Sequence, residues 1–297
     1  VTTTAAPPVR TPGRTDKPNA GGRNKAGGVL ASVAAWIIGL IFIAPVFFMV
    51  LTSFHREAQS TLNAPQLFAP LTLDGYREFF GSQTNQSPWP FIVNSLEGSI
   101  ISTLLVLVLA IPAAYALSVK PVRKWTDVMF FFLSTKFLPA AAGLVPLFVI
   151  ANKIGALNHI WFLIILYTAM NLPIAVWMMR SFLADIPPAL FEAAALDGAG
   201  LIKTLTRVVA PIAMPGIAST SLICFIFAWN ELLLANLLTS TDAAQTAPVL
   251  LTSFVTSQGL FLAKVSAAAF AVSVPVLIAG FAAQDKLVQG LSLGAVK

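Results

Sequence analysis

The chain is poor in the residues that soluble enzymes use for chemistry. It has one cysteine and two histidines in 297 residues. The single cysteine, Cys224, excludes an internal disulfide and a cysteine-based metal site. Its place inside an apolar run predicts a buried, inert thiol. His55 and His159 have no metal-ligand company and are predicted to be surface histidines at the ends of apolar stretches. Charge is scarce too: 10% of residues are Asp, Glu, Lys or Arg, against about 25% in an ordinary soluble domain. The net charge of +6 is scattered in short pieces between apolar runs, which argues against a nucleic-acid-binding face. A Gly-rich loop ending in Lys-Ser/Thr, the phosphate cradle of many nucleotide hydrolases, is absent from the sequence,.

What the chain has is hydrophobicity, at 57% of residues. About 20 apolar residues carry a helix across a bilayer core, and six stretches qualify: Val29 to Leu51, Phe91 to Val119, Val128 to Ile150, Ile160 to Met179, Pro211 to Leu234 and Val265 to Ala283. The pattern predicts an all-α membrane protein with six transmembrane helices. Pro45, Pro112, Pro139, Pro146, Pro173 and Pro275 lie inside these stretches. Proline is tolerated there because neighbouring helices re-satisfy the freed backbone groups.

Lysine and arginine set the orientation. With the N-terminus inside, the inner side holds Arg10, Arg14, Lys17, Arg23, Lys25, Lys120, Arg123, Lys124, Arg180, Lys203, Arg207, Lys286 and Lys297. The outer side holds only Arg56, Arg77, Lys153 and Lys264. The asymmetry predicts both termini in the cytoplasm. Residues 1–28 lack the apolar core of a signal peptide and read as a disordered cytoplasmic tail. Residues 29–289 form the membrane domain, with an outer loop at 53–90 in which Pro70–Phe80 reads as partly structured. A cytoplasmic loop covers 181–211, and residues 290–297 are a C-terminal tail.

The cytoplasmic loop contains "EAAALDGAG", Glu192 to Gly200. Asp185 is a plausible N-cap for a short helix from about Pro187 to Asp197. Gly198 and Gly200 stop that helix. Ala193, Ala194 and Ala195 favour helix and leave a low-relief surface that another backbone can approach. The next segment, "LIKTLTRVVAP", places Leu201, Leu205 and Val208 at helical spacing, with Lys203 and Arg207 on another face. The segment is either a plain helical hairpin between spans or a docking element for a cytoplasmic partner.

The residues "EAAALDGAG…APIAMP" resemble the EAA motif of membrane subunits of binding-protein-dependent ABC importers. The motif positions are Glu192, Ala193, Ala194, Asp197 and Gly198, then Ile212 and Pro215, with Pro211 also available. "NLPIAVWMMRSFLADIPPALFEAAALDGA", "FIFAWNELLLANLLT" and the terminal "GLSLGAVK" extend the resemblance to the six-span, maltose-type carbohydrate permeases. "GLFLAKVSAAA", Gly259–Ala269, is similar to the polyol (sorbitol and mannitol) branch. The resemblance implies a type I ABC importer transmembrane domain in a bacterial cytoplasmic (inner) membrane. It implies a cytoplasmic coupling helix seated in an ATPase groove, with Gly198 as the sharp turn and Glu192 and Asp197 facing basic groups. It implies a C-terminal tail, including Gly290, Gly294 and Lys297, that reaches the ATPase dimer. The partners implied are a second permease subunit, two ATPase subunits that use ATP and Mg, and an extracytoplasmic solute-binding protein. The chain itself is then a translocation subunit for a sugar or polyol, not an enzyme, and binds no cofactor or metal.

Polar residues inside the spans are candidates for the translocation path. A lysine at a helix centre costs about 2.5–3.5 kcal/mol on insertion scales, so Lys136 either lines a cavity, pairs with an acid or snorkels. Asn230 and Glu231 face the path or bond another helix. Asn171 faces the path or satisfies backbone freed near Pro173. Trp177 and Trp229 suit a sugar face or an interface, and Trp161 an interfacial anchor. Two other classes compete. A gradient-driven secondary transporter calls for inverted repeats and ion ligands, and a membrane enzyme calls for clustered acids, histidines or metal ligands. The EAA segment argues against both.

Overall fold

The computed structural model describes residues 25–60, 69–81, 87–119, 122–137, 140–256, 259–260 and 262–295. The chain divides into two compact units, residues 1–48 and 49–297.

In the first unit the described residues belong to helix α1 (Lys25–Ser53), whose last residues enter the second unit. Every side chain from Val29 to Phe48 is exposed. A helix apolar on all sides belongs in lipid or against another chain. The helix begins at Lys25, before the expected end of the tail at residue 28; residues 1–24 lie outside the described residues.

The second unit is a helical bundle. Its main pillars are α4 (Trp89–Ser118), α7 (Ile160–Ala184), α11 (Met214–Trp229) and α14 (Leu262–Ala295). α4 and α7 form the most extensive pair, and α11 packs against α4, α7 and α14. Helix pairs in lipid gain little from the hydrophobic effect and depend on close packing. Small residues supply it here: Ala110 and Ala114 on α4, Ala175 on α7 and Ala228 on α11 are buried. A Cβ at Gly216 would lie 2.4 Å from Phe182, so α11 approaches α7 more closely than alanine permits. Buried hydroxyls bond back into their own helix, as Ser99 donates to Ser95 O at 2.5 Å and Thr168 to Ile164 O at 2.7 Å, so neither is left unmet in lipid.

Among the described residues, four helices are long and apolar enough to cross a membrane: Val29–Ser53, Trp89–Ser118, Ile160–Ala184 and Leu262–Lys286. The other two apolar stretches are interrupted. The third is α5 (Trp125–Ser134), a 3-10 turn (Thr135–Phe137) and α6 (Ala140–Lys153). The break falls beside Pro139, which lies outside the described residues, and proline disfavours helix in the residue before it. The fifth stretch is bent by 86° between Leu201–Ile212 and Met214–Trp229. Pro215, in the first turn of α11, has no N–H for a preceding turn,. The expected span to Leu234 ends at Trp229 and resumes as α12 (Leu233–Leu238).

One end of the bundle carries short elements: α2 (Glu57–Ser60), α3 (Asp74–Phe80), α13 (Ala247–Thr252) and a two-stranded hairpin, β1 (Val255–Thr256) with β2 (Gly259–Leu260). α3 confirms order within Pro70–Phe80. The other end carries α8 (Pro188–Leu196), α9 (Leu201–Thr204) and α10 (Ala210–Ile212).

Candidate functional site

α8 is the short helix expected in the 181–211 loop. Pro187 precedes it in extended conformation, and no side chain caps it, so Asp185 is not the N-cap. α7 runs on to Ala184, leaving Asp185 as its C-cap. Pro188 occupies the first helical position, where a missing N–H costs nothing,. Gly198 ends the helix with φ +68°, in the left-handed region that glycine enters without strain,. Gly200 is extended and leads into α9.

Two side chains hold α8 to the bundle. Phe191 and Ala194 are its buried residues, and Phe191 joins a cluster with Tyr115, Met179, Leu183, Ile186 and Val209. Phe191 and Tyr115 meet edge to face, 5.7 Å between centroids. The rest of α8 points away: Glu192, Ala193, Ala195 and Asp197 are exposed, and Leu196 is 89% exposed. Ala194 is thus the one residue of Glu192–Ala194 used internally. The α8 surface is small-residued and apolar, flanked by two carboxylates, and ends in a tight turn. A cavity of about 450 Å³ lies behind it, lined by Tyr115, Phe191, Glu192, Ala195, Ala199 and Thr204.

The segment after the turn departs from the simple amphipathic reading. Leu201 is exposed, Leu205 and Val208 are half-buried, and the buried residues are Thr204 and Val209. A π-turn over Leu205–Val209 widens the spacing of the inward face,. Pro215 is half-buried, and its carbonyl accepts a hydrogen bond from Ser219 at 2.8 Å.

The candidates at membrane depth fall in two places. Lys136 is in the 3-10 turn between α5 and α6 and is exposed. Asn171 is buried and donates to Cys224 O at 3.4 Å, while its Oδ1 has no partner. Asn230 and Glu231 sit at the break after α11. Asn230 donates to Ile226 O at 2.8 Å, within its own helix end. Glu231 accepts from Leu234 N–H at 2.9 Å and Ala235 N–H at 3.2 Å, capping α12. Trp229 is buried and stacked on Phe225, whereas Trp161 and Trp177 are exposed.

His159 is exposed as expected, but His55 is 5% exposed, a correction to its surface reading. It follows α1 directly, and its N–H donates to Thr52 O at 3.0 Å; burial of this kind comes from tertiary packing, which local sequence does not show. Among the described residues no group of acids, histidines or cysteines is arranged to hold a metal. Gly290 and Gly294 are helical in α14, Lys297 lies outside the described residues, and side chains beyond Lys286 are not described. One ionisable residue escaped the sequence reading. Glu97 is an exposed carboxylate inside α4, and its signal was an acid within the second apolar stretch.

Residues 106–292 match the family described as the binding-protein-dependent transport system inner membrane component. The chain belongs to that family. A probable ABC transporter permease of Sinorhizobium fredii is 35% identical to this permease over 261 residues, covering 88% of the chain and 92% of the relative. A trehalose/maltose transport system permease of Thermococcus litoralis is 31% identical over 270 residues, covering 91% and 96%. In fold the permease resembles a chain in the crystal structure of a bacterial ABC transporter involved in import of the acidic polysaccharide alginate. The TM-score is 0.72 at 22% identity, covering 91% of this chain and all of that one. The permease is therefore a membrane-spanning ABC importer subunit rather than a secondary transporter, as the EAA segment implied.

Proposed function

We propose that the chain is one permease subunit of an ATP-driven importer for a carbohydrate delivered by an extracytoplasmic binding protein. A second permease completes the membrane channel, and two ATPase subunits supply ATP and Mg chemistry. Both termini and α8 lie in the cytoplasm of a bacterial cell, as the lysine and arginine distribution indicates. α8 is the coupling element. The carrying observation is its surface: only Phe191 and Ala194 are spent on the bundle, and Leu196, Glu192 and Asp197 project from it. An exposed leucine between small residues suits a partner groove. Closure of the ATPase pair pushes α8, and the load passes through Phe191 to α4 and α7.

Gly290, Gly294 and Lys297 belong to a terminal segment that meets the same ATPases. Lys136, Asn171, Asn230 and Glu231 are proposed for the path. Lys136 and Asn171 have the better support, because Glu231 is engaged as a helix cap. The trehalose/maltose relative supports a sugar substrate. The finer proposal of a polyol is supported by the stretch Gly259–Ala269.

The test is co-purification of the tagged chain from its native membrane, wild type against a Glu192→Lys, Gly198→Pro double variant. An ATPase that accompanies the wild type and is lost from the variant, with the second permease retained, is the expected result. A chain that purifies alone in both forms defeats the subunit reading.

A further inference from the structure

The α4 pillar of the bundle carries one charged side chain. α4 contains neither Lys nor Arg, and Glu97 is its only acid. Glu97 lies eight residues from Trp89, about 12 Å along the helix. It is exposed, with no hydrogen bond or ion pair among the described residues. The turn before it is engaged: Asn94 donates to Asp242 O and Gln245 O, both at 2.9 Å. The turn after it packs inward, since Gly98 faces Tyr167 and Ile160. Successive residues turn by about 100°, so Val93, Leu104 and Val108 share the side of Glu97. They are 53%, 57% and 68% exposed.

Hydrocarbon offers a carboxylate no donor, and ionisable groups at membrane depth face water or a partner. What adjoins Glu97 decides between these. One turn along, Ile100 borders a groove of about 360 Å³ between α4, α11 and α14 that runs to Lys286. Ala218, Ala279 and Ala282 give it smooth walls. Thr103 also lines it; this residue is 7% exposed, and its hydroxyl has no hydrogen-bond partner. Glu97 stands one turn before this groove, and within its mainly apolar lining, which includes Leu104, Leu107 and Phe225, the Thr103 hydroxyl is unmet among the described residues.

We infer that Glu97, Thr103 and this groove form a hydroxyl-reading strip of the polar passage, built for a neutral carbohydrate. The inference rests on the importer reading above. The Glu97 carboxylate accepts hydrogen bonds from sugar hydroxyls, the Thr103 hydroxyl bonds a further one, and the alanine walls take the C–H faces of the ring. A sugar carboxylate or sulfonate meets repulsion at Glu97.

The experiment uses the complete complex in proteoliposomes. Cys224 is the only cysteine of the chain and is buried, so thiol labelling of this subunit has a low background. Glu97→Cys is expected to react with a charged, water-soluble methanethiosulfonate at least tenfold faster than wild type, and Leu104→Cys faster than Leu105→Cys, one residue round the helix. An intact complex in which Glu97→Cys stays unlabelled overturns the water-facing strip. Uptake is then measured for maltose, sorbitol and glucuronate with Glu97→Gln and Thr103→Val. A roughly tenfold loss of neutral-sugar uptake with Glu97→Gln, a lesser loss with Thr103→Val and a rise in the glucuronate share are expected. Unchanged uptake ratios, or release of the second permease by Glu97→Gln, overturn the assignment. A wild-type complex that takes up no carbohydrate defeats the substrate reading separately, while labelling still decides whether Glu97 meets water.

Discussion

The two ends of the helical unit are built on different principles. At the end away from α8, polar side chains tie distant segments together. Asn158, with φ +60°, accepts through Oδ1 from Ser240 N–H at 2.5 Å and Thr241 N–H at 3.2 Å. Ser95 accepts from Ala247 N–H at 2.8 Å, and Glu57 accepts from Ala263 N–H at 3.1 Å. These bonds join residues far apart in sequence and hold the short elements in one arrangement. At the α8 end the cluster is apolar, and no side-chain hydrogen bond ties α8 to another helix among the described residues. Directional bonds fix a geometry, whereas two packed side chains let a helix transmit force and tilt on its support. On the proposed reading, the first end serves as a frame and the second as a lever.

The lever can be broken by removing its pivot. Phe191→Ala deletes a buried aromatic, a change worth about 3–5 kcal/mol in a packed core. Its expected outcome is loss of ATP-dependent uptake in vesicles, with the helical circular dichroism of the chain retained. A sharper cut is Leu196→Asp, which alters only the exposed face. ATPase co-purification should fall at least tenfold while the melting temperature of the isolated subunit stays within a few degrees; an unaffected complex means that α8 is not the docking surface. Gly198→Pro is expected to leave insertion intact and to uncouple ATP hydrolysis from uptake, measured together on one preparation.

The frame answers to different changes. Asn158→Ala removes several bonds from one side chain and should cost about 1–3 kcal/mol, read as a lowered melting temperature in detergent with ATPase binding unchanged. Equal damage to ATPase binding would dissolve the distinction between the two ends. Lys136→Met, between the ends, should lower uptake several-fold without loss of assembly, and full uptake returns Lys136 to the interface. The smallest effect belongs to Lys264→Ala at the half-exposed Glu78–Lys264 pair, 2.5 Å apart. Exposed pairs contribute about 0–1 kcal/mol, so its melting temperature should barely move.

The α8 segment was legible because its signals are local. Proline at a first helical position, alanines and a glycine stop act within a few residues, and they place α8 within one residue of its expected ends. Lys136 and Asn171 were legible as polar residues in apolar stretches, but the bond from Asn171 to Cys224 O on α11 was not. His55 was misread because its burial is a tertiary property that its local sequence does not carry. The third and fifth apolar stretches were counted whole, since hydropathy measures composition and is blind to the 3-10 turn at Thr135–Phe137 and the bend before Pro215.

Composition and periodicity alone determined that this is a helical membrane protein, because lipid leaves the backbone no partner but itself and about 20 apolar residues announce each crossing. The motif alone placed the segment proposed for coupling. Tertiary structure decided which residue of Glu192–Ala194 is the anchor, which polar groups are spent as caps, and which carboxylate is left facing outward on α4. Those depend on the side of each helix that its neighbours cover, and that is settled only when helices distant in sequence pack together.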